Sequence, residues 1–295
     1  MTINISAAAD FMAGHSRVLD RRCFQLLLGE TDTAGVLAAV DGYRNPDGGY
    51  GWGLEPDLRS PESQPGAALH AFGVFQAIAP ATAPQAVALC DWMQSVSLPD
   101  GGVPFALPLT TTAATAPWWQ GADPTVSSLQ ITSVSAAAAH RVAAHDPAVA
   151  AHPWLARATR YCLDQIAALN EAPHAYILSF SILFLDAVHD TYPEAAELLT
   201  RLGKYIPDDG KLYVEGGTED EYLHPLDFSP YPNSASRALF TPEQISADLD
   251  RLAALQQDDG GWTVEYAKIS PAGSLEWRGA VTVNAIDVLQ RNGRI

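Results

Sequence analysis

The chain has 295 residues, of which 47% are hydrophobic and 17% are charged, so it can bury a large core in one or two domains. Its net charge of −17 at pH 7 repels phosphate backbones and anionic lipid, which argues against nucleic acid or a membrane surface as a partner. A hydrophobic, neutral or cationic ligand is compatible with that charge, which also serves simply to keep a protein soluble.

The termini and cysteines indicate where the protein works. Residues 1–16 lack a basic region followed by an apolar run, so no signal peptide is expected. The longest apolar candidate, Ala172–Val188, is interrupted by polar residues and predicts a buried helix, not a membrane-spanning one. Cys23, Cys90 and Cys162 are an odd number of well-separated thiols in apolar surroundings. These features predict a reduced, cytoplasmic protein.

A short turn phrase recurs along the chain, centred on an Asp-Gly step that begins at positions 47, 100, 209 and 259. The copies are Asn45–Tyr50, Leu98–Val103, Ile206–Lys211 and Gln257–Trp262. Their spacings are 53, 109 and 50 residues, and 109 is close to two units of about 54. The chain therefore holds about six units of roughly 50–55 residues, with one copy near 150–160 that has lost the phrase.

Each unit is expected to contain two helices, because apolar residues recur at three- and four-residue spacing in nine segments. In chain order these are Val36–Tyr43, Gly66–Ile78, Pro84–Val96, Leu129–Ala144, Leu155–Leu169, Ala175–His189, Ala195–Tyr205, Pro242–Gln256 and Val281–Gln290. Thr241 followed by a proline and acidic or amide residues is a good helix start. No segment alternates polar and apolar residues over strand length, so the Asp-Gly steps are expected to end helices and not to join strands.

Several helices are small or apolar on more than one face, as in Ser135–Ala139 and Tyr176–Leu185. Such helices suit an inner ring that is wrapped by an outer one. An open solenoid would need polar capping repeats, and neither end of the chain has one. We therefore expect residues 1–295 to form a single all-α domain, an (α/α)6 toroid of about six helical hairpins.

The best-preserved turn, Gln256-Gln257-Asp258-Asp259-Gly260-Gly261-Trp262, resembles the Gln-Trp repeat of squalene and hopene cyclases at Gln256, Gly260 and Trp262. Gly48-x-Tyr50 is a weaker copy of the same pattern. The chain is thus similar to the terpenoid-cyclase and protein-prenyltransferase toroids over nearly its whole length. The resemblance implies a helical ring with a central cavity, in which the Gln and Trp tie helix ends together.

The reaction motifs of that family are largely missing. The Asp-x-Asp-Asp run that protonates an alkene in class II cyclases does not occur, and Asp248-x-Asp250 continues into Arg251 within a helix. The Asp-x-Cys zinc pair of the prenyltransferases is absent too. We therefore expect no metal and no other cofactor.

Two loops before inner helices are richer in acidic and aromatic residues than a turn requires. Tyr50–Gln64 contains Trp52, Glu55 and Asp57, and one of the two carboxyl groups is a candidate general acid if burial raises its pKa. The alternative is a capped helix start with an Arg59 ion pair. Pro108–Ser128 contains the adjacent pair Trp118 and Trp119, which either line a pocket for a hydrophobic or cationic ligand or plug the ring.

The stretch Val214–Arg237 is the least repeat-like part of the chain. It combines a histidine beside a carboxylate, His224 and Asp227, with the aromatic residues Tyr222 and Phe228. A histidine beside a carboxylate is a recurring acid–base pairing, although a rigid structural loop explains the stretch equally well.

Two further sites complete the candidates. Trp277 and Arg278 in Glu265–Arg278 and Tyr176 on its helix are expected at the cavity, with Arg278 either in an ion pair or clamping an anion. The predicted catalytic residues are thus Asp227, His224, Asp57 and Glu55, and the predicted substrate-binding residues are Trp52, Trp118, Trp119, Tyr176, Tyr222, Phe228, Trp277 and Arg278.

Three functions remain open. The first is an enzyme that cyclises a hydrophobic, isoprenoid-like small molecule by protonating it. The second is a carbohydrate-active enzyme that uses paired carboxylates and tryptophan platforms. The third is a ring-shaped binding or scaffold protein without catalysis. Carboxylates around a deep cavity favour an enzyme, and a cavity filled by Trp118 and Trp119 favours a scaffold. The oligomeric state is left open.

Overall fold

The computed structural model describes residues 3–295, which are mostly helical. They form α1 (Ile5–His15), α2 (Val18–Leu27), α3 (Thr33–Val40), α4 (Pro65–Ala77), α5 (Pro84–Val96), α6 (Pro117–Gln120), α7 (Leu129–Ala143), α8 (Pro147–Ala150), α9 (Pro153–Ala168), α10 (Ala175–Val188), α11 (Glu194–Gly203), α12 (Pro225–Phe228), α13 (Pro242–Ala254) and α14 (Pro271–Arg291). Short 3-10 helices lie at Asp41–Tyr43 and Ala235–Leu239, and β1 (Leu212–Tyr213) pairs antiparallel with β2 (Tyr222–Leu223). The all-α prediction is confirmed.

Local sequence explains many of the helix starts. Eight of these helices begin with proline, whose fixed φ suits a first helical turn that needs no N–H partner. At α13 the Thr241 hydroxyl accepts a hydrogen bond from Gln244 N (3.2 Å), and Thr241 N donates to the Gln244 side chain (2.7 Å). This is the capping box that the sequence predicts.

The N-terminal helices α1 and α2 are not predicted by the apolar spacing, and α14 begins ten residues before its predicted start at Val281. In α2 the charged run Asp20–Arg22 interrupts the spacing, and in α1 the buried face consists only of Ala8, Phe11 and Met12. The degenerate turn that the spacing predicts near 150–160 falls on the end of α8 and the first half of α9. The connection that lacks the phrase is residues 169–174, between α9 and α10.

The helices pack in two series of contacts. In one series α14 packs on α2, α4 on α7, α7 on α10, and α10 on α12. In the other, α5 packs on α9 and α9 on α11, while α1, α3 and α13 each bridge two helices of the first series. Helix α1 contacts α14 as well as α2, so the first and last helices of the chain meet.

Four turns share one geometry and follow α3, α5, α11 and α13. In each, the aspartate of the Asp-Gly step accepts a hydrogen bond from the backbone N–H two residues later, at 2.9–3.1 Å. The glycine of each step has positive φ, between 77° and 96°, which favours glycine over any residue with a Cβ. These glycines are Gly48, Gly101, Gly210 and Gly260.

Three of these turns also need glycine because they lie against the backbone of another helix. A Cβ on Gly48 would meet the Ala88 carbonyl of α5 at 3.0 Å, and one on Gly101 would meet the Arg157 carbonyl of α9 at 2.9 Å. A Cβ on Gly260 would overlap the Ala7 carbonyl of α1. The first two of these turns therefore rest on α5 and α9, and the third rests on α1.

The last turn is tied to the N-terminus by hydrogen bonds as well. The Gln256 side chain accepts from Asn4 N (2.9 Å) and donates to Asn4 O (2.9 Å). Trp262 is buried, with its indole N–H on Leu252 O (2.7 Å) and its backbone N–H on the Thr282 hydroxyl (2.9 Å). The Gln and Trp of this turn therefore link α1, α13 and α14.

None of the helices between residues 3 and 295 combines the length and the apolar character that crossing a bilayer requires.

Candidate functional site

A cavity of about 450 Å³ opens at the N-terminal ends of α4, α7, α10 and α14, beside the hairpin formed by β1 and β2. Its surface is predominantly apolar, and its aromatic walls are Phe105, Trp119, Tyr176, Phe180, Tyr266 and Trp277. The carboxyl groups on its walls are Glu55, Asp57, Glu215 and Glu221. The volume is typical of a site for a small organic ligand.

Asp57 is a buried acid in this wall, with 4% of its surface exposed. One carboxyl oxygen accepts a hydrogen bond from the Trp277 indole N–H (2.7 Å), while the other is buried without a hydrogen-bond partner. Burial is the main reason that the pKa of Asp57 rises to about 6, and the nearby Glu55 contributes, while the Trp277 hydrogen bond acts in the opposite direction. Asp57 can therefore hold and donate a proton near neutral pH.

Glu55, the other carboxyl group of this wall, pairs with His70 of α4. One Glu55 oxygen lies 2.8 Å from His70 Nε2, and the other accepts a hydrogen bond from Asp57 N (3.0 Å). The His70 ring also stacks edge-on against Trp277, with a centroid distance of 5.6 Å. Glu55, Asp57, His70 and Trp277 thus form one connected group.

The loop that carries both acids is held from α2. Arg17 donates to the carbonyls of Gly53 (3.2 Å) and Leu54 (3.0 Å), and Asp20 holds the same guanidinium through two hydrogen bonds of 2.8 and 3.1 Å. Both side chains of this ion pair are more than nine-tenths buried. A buried pair of this kind fixes the loop geometry because either partner alone would be an unpaired buried charge.

A second acidic wall comes from the hairpin. Glu221 is 5% exposed, and one of its oxygens accepts from the Tyr176 hydroxyl (2.7 Å) while the other accepts from Thr218 N (3.1 Å). Burial raises the pKa of Tyr176 above its ordinary value, with the Glu221 hydrogen bond acting in the same direction, so the phenol stays neutral. His174 holds the hairpin through a contact of 2.9 Å between Nε2 and Glu215 O.

Tyr266 lies between the two acidic walls. Its ring packs edge-on against Trp277 at 5.2 Å, and its hydroxyl makes no hydrogen bond to any side chain or backbone group of residues 3–295. Burial raises its pKa well above the ordinary value, with Glu55 and Glu221 among the charges that contribute. The Tyr266 hydroxyl is therefore a neutral group that is free to bind a ligand.

The two tryptophans of the long loop have different environments. Trp119 is buried, stacks on Phe105 at 4.5 Å and covers Gly66 at the start of α4. Trp118 is 46% exposed at the cavity. They line the cavity without filling it.

The candidate pair His224 and Asp227 lies outside the cavity. Asp227 accepts a hydrogen bond from His224 N (2.7 Å) and so caps the short helix α12. Protein atoms around the carboxyl raise its pKa to about 7, although the side chain keeps contact with solvent, which weakens this effect. Burial lowers the pKa of His224, whose Nδ1 lies 4.0 Å from Asp248 Oδ1.

Four predicted binding residues also lie away from the cavity. Trp52 is 59% exposed and donates to Asn45 (2.8 Å), while Tyr222 is exposed on the outside of the hairpin. Phe228 is fully buried in the core. Arg278 is held by two hydrogen bonds to Asp259 of the last turn, at 2.7 and 2.8 Å.

The structure thus brings together Glu55, Asp57, Trp118, Trp119, Tyr176 and Trp277 of the predicted residues. Sequence reasoning missed His70, Glu221 and Tyr266 as members of the site. Glu221 and Tyr266 lie in segments that the sequence singles out, but only the fold shows that these side chains reach the cavity, and His70 has no such signal around it. Within residues 3–295, no group of three or more His, Cys, Asp or Glu side chains is arranged to hold a metal ion.

No protein-family model matches the chain, and a search of curated proteins gives no match.

Proposed function

We propose that the chain is an enzyme that acts on a small hydrophobic, isoprenoid-like molecule and cyclises it by protonation in the central cavity of a closed helical ring. Asp57 is the proposed acid. The positive charge that follows protonation is proposed to be stabilised by cation–π contacts with the aromatic rings of Trp277, Tyr266 and Trp119.

The helix contacts support a closed (α/α)6 ring. Six successive pairs, α1–α2, α3–α4, α5–α7, α9–α10, α11–α12 and α13–α14, account for all the long helices. The contact between α14 and α2 and the seating of the last turn on α1 join the sixth pair to the first. The cavity then lies at the end of the ring where the inner helices begin.

The observation that carries the proposed reaction is the environment of Asp57. This carboxyl group is buried in an aromatic wall, has no salt-bridge partner in residues 3–295, and has a pKa raised to about 6. A buried carboxyl group without a cation costs stability unless it is protonated, and such groups concentrate at catalytic sites. An acid held in that state can donate its proton to a bound alkene.

The other charges of the cavity favour a neutral substrate that becomes cationic. No lysine or arginine is among the residues that line it within the described chain, and the nearby Arg59 is paired with Glu276. A phosphate or carboxylate ligand would meet carboxylates with no cation to balance them. A developing carbocation would instead be stabilised by the carboxylates and aromatic faces.

A substrate panel tests this proposal. Purified protein is incubated with farnesol, geranylgeraniol and squalene, and in a separate arm with disaccharides and maltooligosaccharides, and the products are identified by mass spectrometry. Asp57→Asn should lower turnover of an isoprenoid by about 10²–10⁴-fold. The control Asp10→Asn changes an exposed carboxylate on α1 and should leave turnover unchanged.

The pH profile gives an independent readout. Because the acid must be protonated, kcat/KM in the wild type should fall about tenfold per pH unit above about 6, the pKa of Asp57. Turnover of sugars alone would replace the proposal with the carbohydrate-active alternative. Tight binding of a hydrophobic probe without turnover of any panel member would favour the non-catalytic ring.

A further inference from the structure

The second acidic wall of the cavity has no role in the protonation step. Glu221 is buried, yet no arginine, lysine or histidine lies within salt-bridge distance of it in residues 3–295. Burying a carboxylate without a cation is costly, and evolution tolerates that cost chiefly at functional positions. The remaining question is what chemistry this group provides.

We propose that Glu221, acting through the hydroxyl of Tyr176, is the base that removes a proton from the substrate cation and ends the reaction. This inference rests on the proposed function, because it supplies the second half of the same acid-initiated reaction. The ligand that it implies is a hydrocarbon cation with a removable proton that faces Tyr176.

The hairpin is shaped around this carboxylate. A Cβ on Gly217 would lie 2.6 Å from Glu221 Oε2, so glycine at this position leaves room for the Glu221 side chain to fold back over its own loop. Both Glu221 oxygens then accept hydrogen bonds, from the Tyr176 hydroxyl and from Thr218 N, an arrangement that suits the ionised form. The loop therefore holds the Glu221 carboxylate in a fixed position beside the Tyr176 hydroxyl.

Tyr176 connects that carboxylate to the cavity. Its hydroxyl donates to Glu221, so an oxygen lone pair remains to accept a proton from a ligand. Its raised pKa means that the residue relays a proton and does not itself act as a phenolate. Tyr176 belongs to α10, whereas Asp57 lies in the loop before α4 and accepts a hydrogen bond from Trp277 of α14, so the acid and the base are carried by different elements of the cavity wall.

The reaction balances without an oxidant, a reductant or a further reactant. The Asp57 O–H bond breaks, and the electron pair of a substrate C=C bond takes the proton, which leaves a cation that cyclises. A C–H bond beside the cation then breaks, and its electron pair forms the new C=C bond. That proton passes to Tyr176 Oη while the proton of Tyr176 passes to Glu221. Exchange with water returns Asp57 to its acid form and Glu221 to its carboxylate.

The experiment compares the wild type with Glu221→Gln, Tyr176→Phe and Glu219→Gln in D2O, using whichever farnesol, geranylgeraniol or squalene the wild type converts. Glutamine keeps an oxygen that can accept the hydrogen bond from Tyr176. If the role of Glu221 were purely structural, Glu221→Gln would therefore retain wild-type product formation. Glu219 is an exposed carboxylate on the same hairpin, so Glu219→Gln serves as the matched control.

In the wild type the cyclic olefin should gain one deuterium from solvent and lose one substrate hydrogen. Glu221→Gln should lower formation of this olefin by about 10²–10⁴-fold, or divert the product to alcohols formed by water capture. Tyr176→Phe should lower it at least about tenfold, while Glu219→Gln should match the wild type.

Unchanged olefin yield and deuterium pattern in both Glu221→Gln and Tyr176→Phe would overturn this inference, even if Asp57→Asn is inactive. Failure of the wild type to convert any isoprenoid would overturn the proposed function itself. Circular dichroism melts of each variant separate a loss of fold from a loss of the base, and Tyr176→Phe provides the second variant if Glu221→Gln does not fold.

Discussion

Replacing Asp57 by asparagine should stabilise the protein above pH 6, although it should slow the proposed reaction by about 10²–10⁴-fold. The carboxyl pKa rises from its ordinary value near 3.8 to about 6 because the group is buried with one oxygen unpartnered. The native state therefore holds the proton more tightly than the unfolded chain does. Stability falls as pH rises between these two values, and the full cost is present above pH 6.

The size of the effect follows from the same shift. It corresponds to about 3 kcal/mol if the group is fully shielded from solvent. Asp57 lines a cavity that water can enter, which screens part of that cost, so we expect about 1–2 kcal/mol. Asparagine keeps an oxygen for the Trp277 indole and carries no charge. For a chain of this size the gain corresponds to roughly 2–6 °C in Tm.

Urea unfolding of the wild type and Asp57→Asn at pH 7.5 and at pH 3.5 measures the gain. The variant should be the more stable protein at pH 7.5. The two should differ much less at pH 3.5, where Asp57 is protonated in the native state and mostly protonated in the unfolded chain. An equal or lower free energy of unfolding for the variant at pH 7.5 would refute the reasoning, because it would mean that Asp57 is not a destabilising buried charge.

Three further changes test other parts of the structure. Gly260→Ala should destabilise by at least about 2 kcal/mol in urea unfolding, because its Cβ overlaps the Ala7 carbonyl and its φ is +90°. Gly14→Ala in α1, where nothing lies within 4 Å of the new Cβ, should stabilise by about 0.5–1 kcal/mol, and a loss there would contradict the helix assignment. Asp20→Asn should cost about 3–5 kcal/mol, since it leaves Arg17 buried without its carboxylate, and a loss below about 1 kcal/mol would show that the pair does not hold the acid-bearing loop.

The helical class and the recurring turns were the most predictable features of the molecule. The Asp-Gly steps occur where helices end, because the same Asp side chain caps each turn and glycine alone tolerates its φ and the helix behind it. The helix starts predicted at Pro84 and after Thr241 agree with the structure to the exact residue. These features are local, so the sequence of a few residues determines them.

The site was less predictable, because its members meet only in three dimensions. Asp57 could be selected from its own loop, but its hydrogen bond comes from Trp277, 220 residues away. His70 lies on a helix and gives no sign that it faces Glu55. Asp227 beside His224 looks like an acid–base pair in sequence, yet the same adjacency serves to cap α12. The composition of a loop shows which acidic, basic and aromatic side chains it contains. Only the packing of the fold determines which of them reach the cavity.

The hydrogen bonds between Gln256 and Asn4 also bear on how the protein folds. They join residues 252 positions apart, and Trp277 projects into the cavity from α14, directly after the turn that rests on α1. A contact over such a separation carries a large loop-closure entropy and should form late. During synthesis, α1 would leave the ribosome long before Gln256 and α14 are made. Until then, the apolar face of α1 would stay exposed or be bound by a chaperone. Among the helices of residues 3–295, α14 would then be the one that completes the cavity.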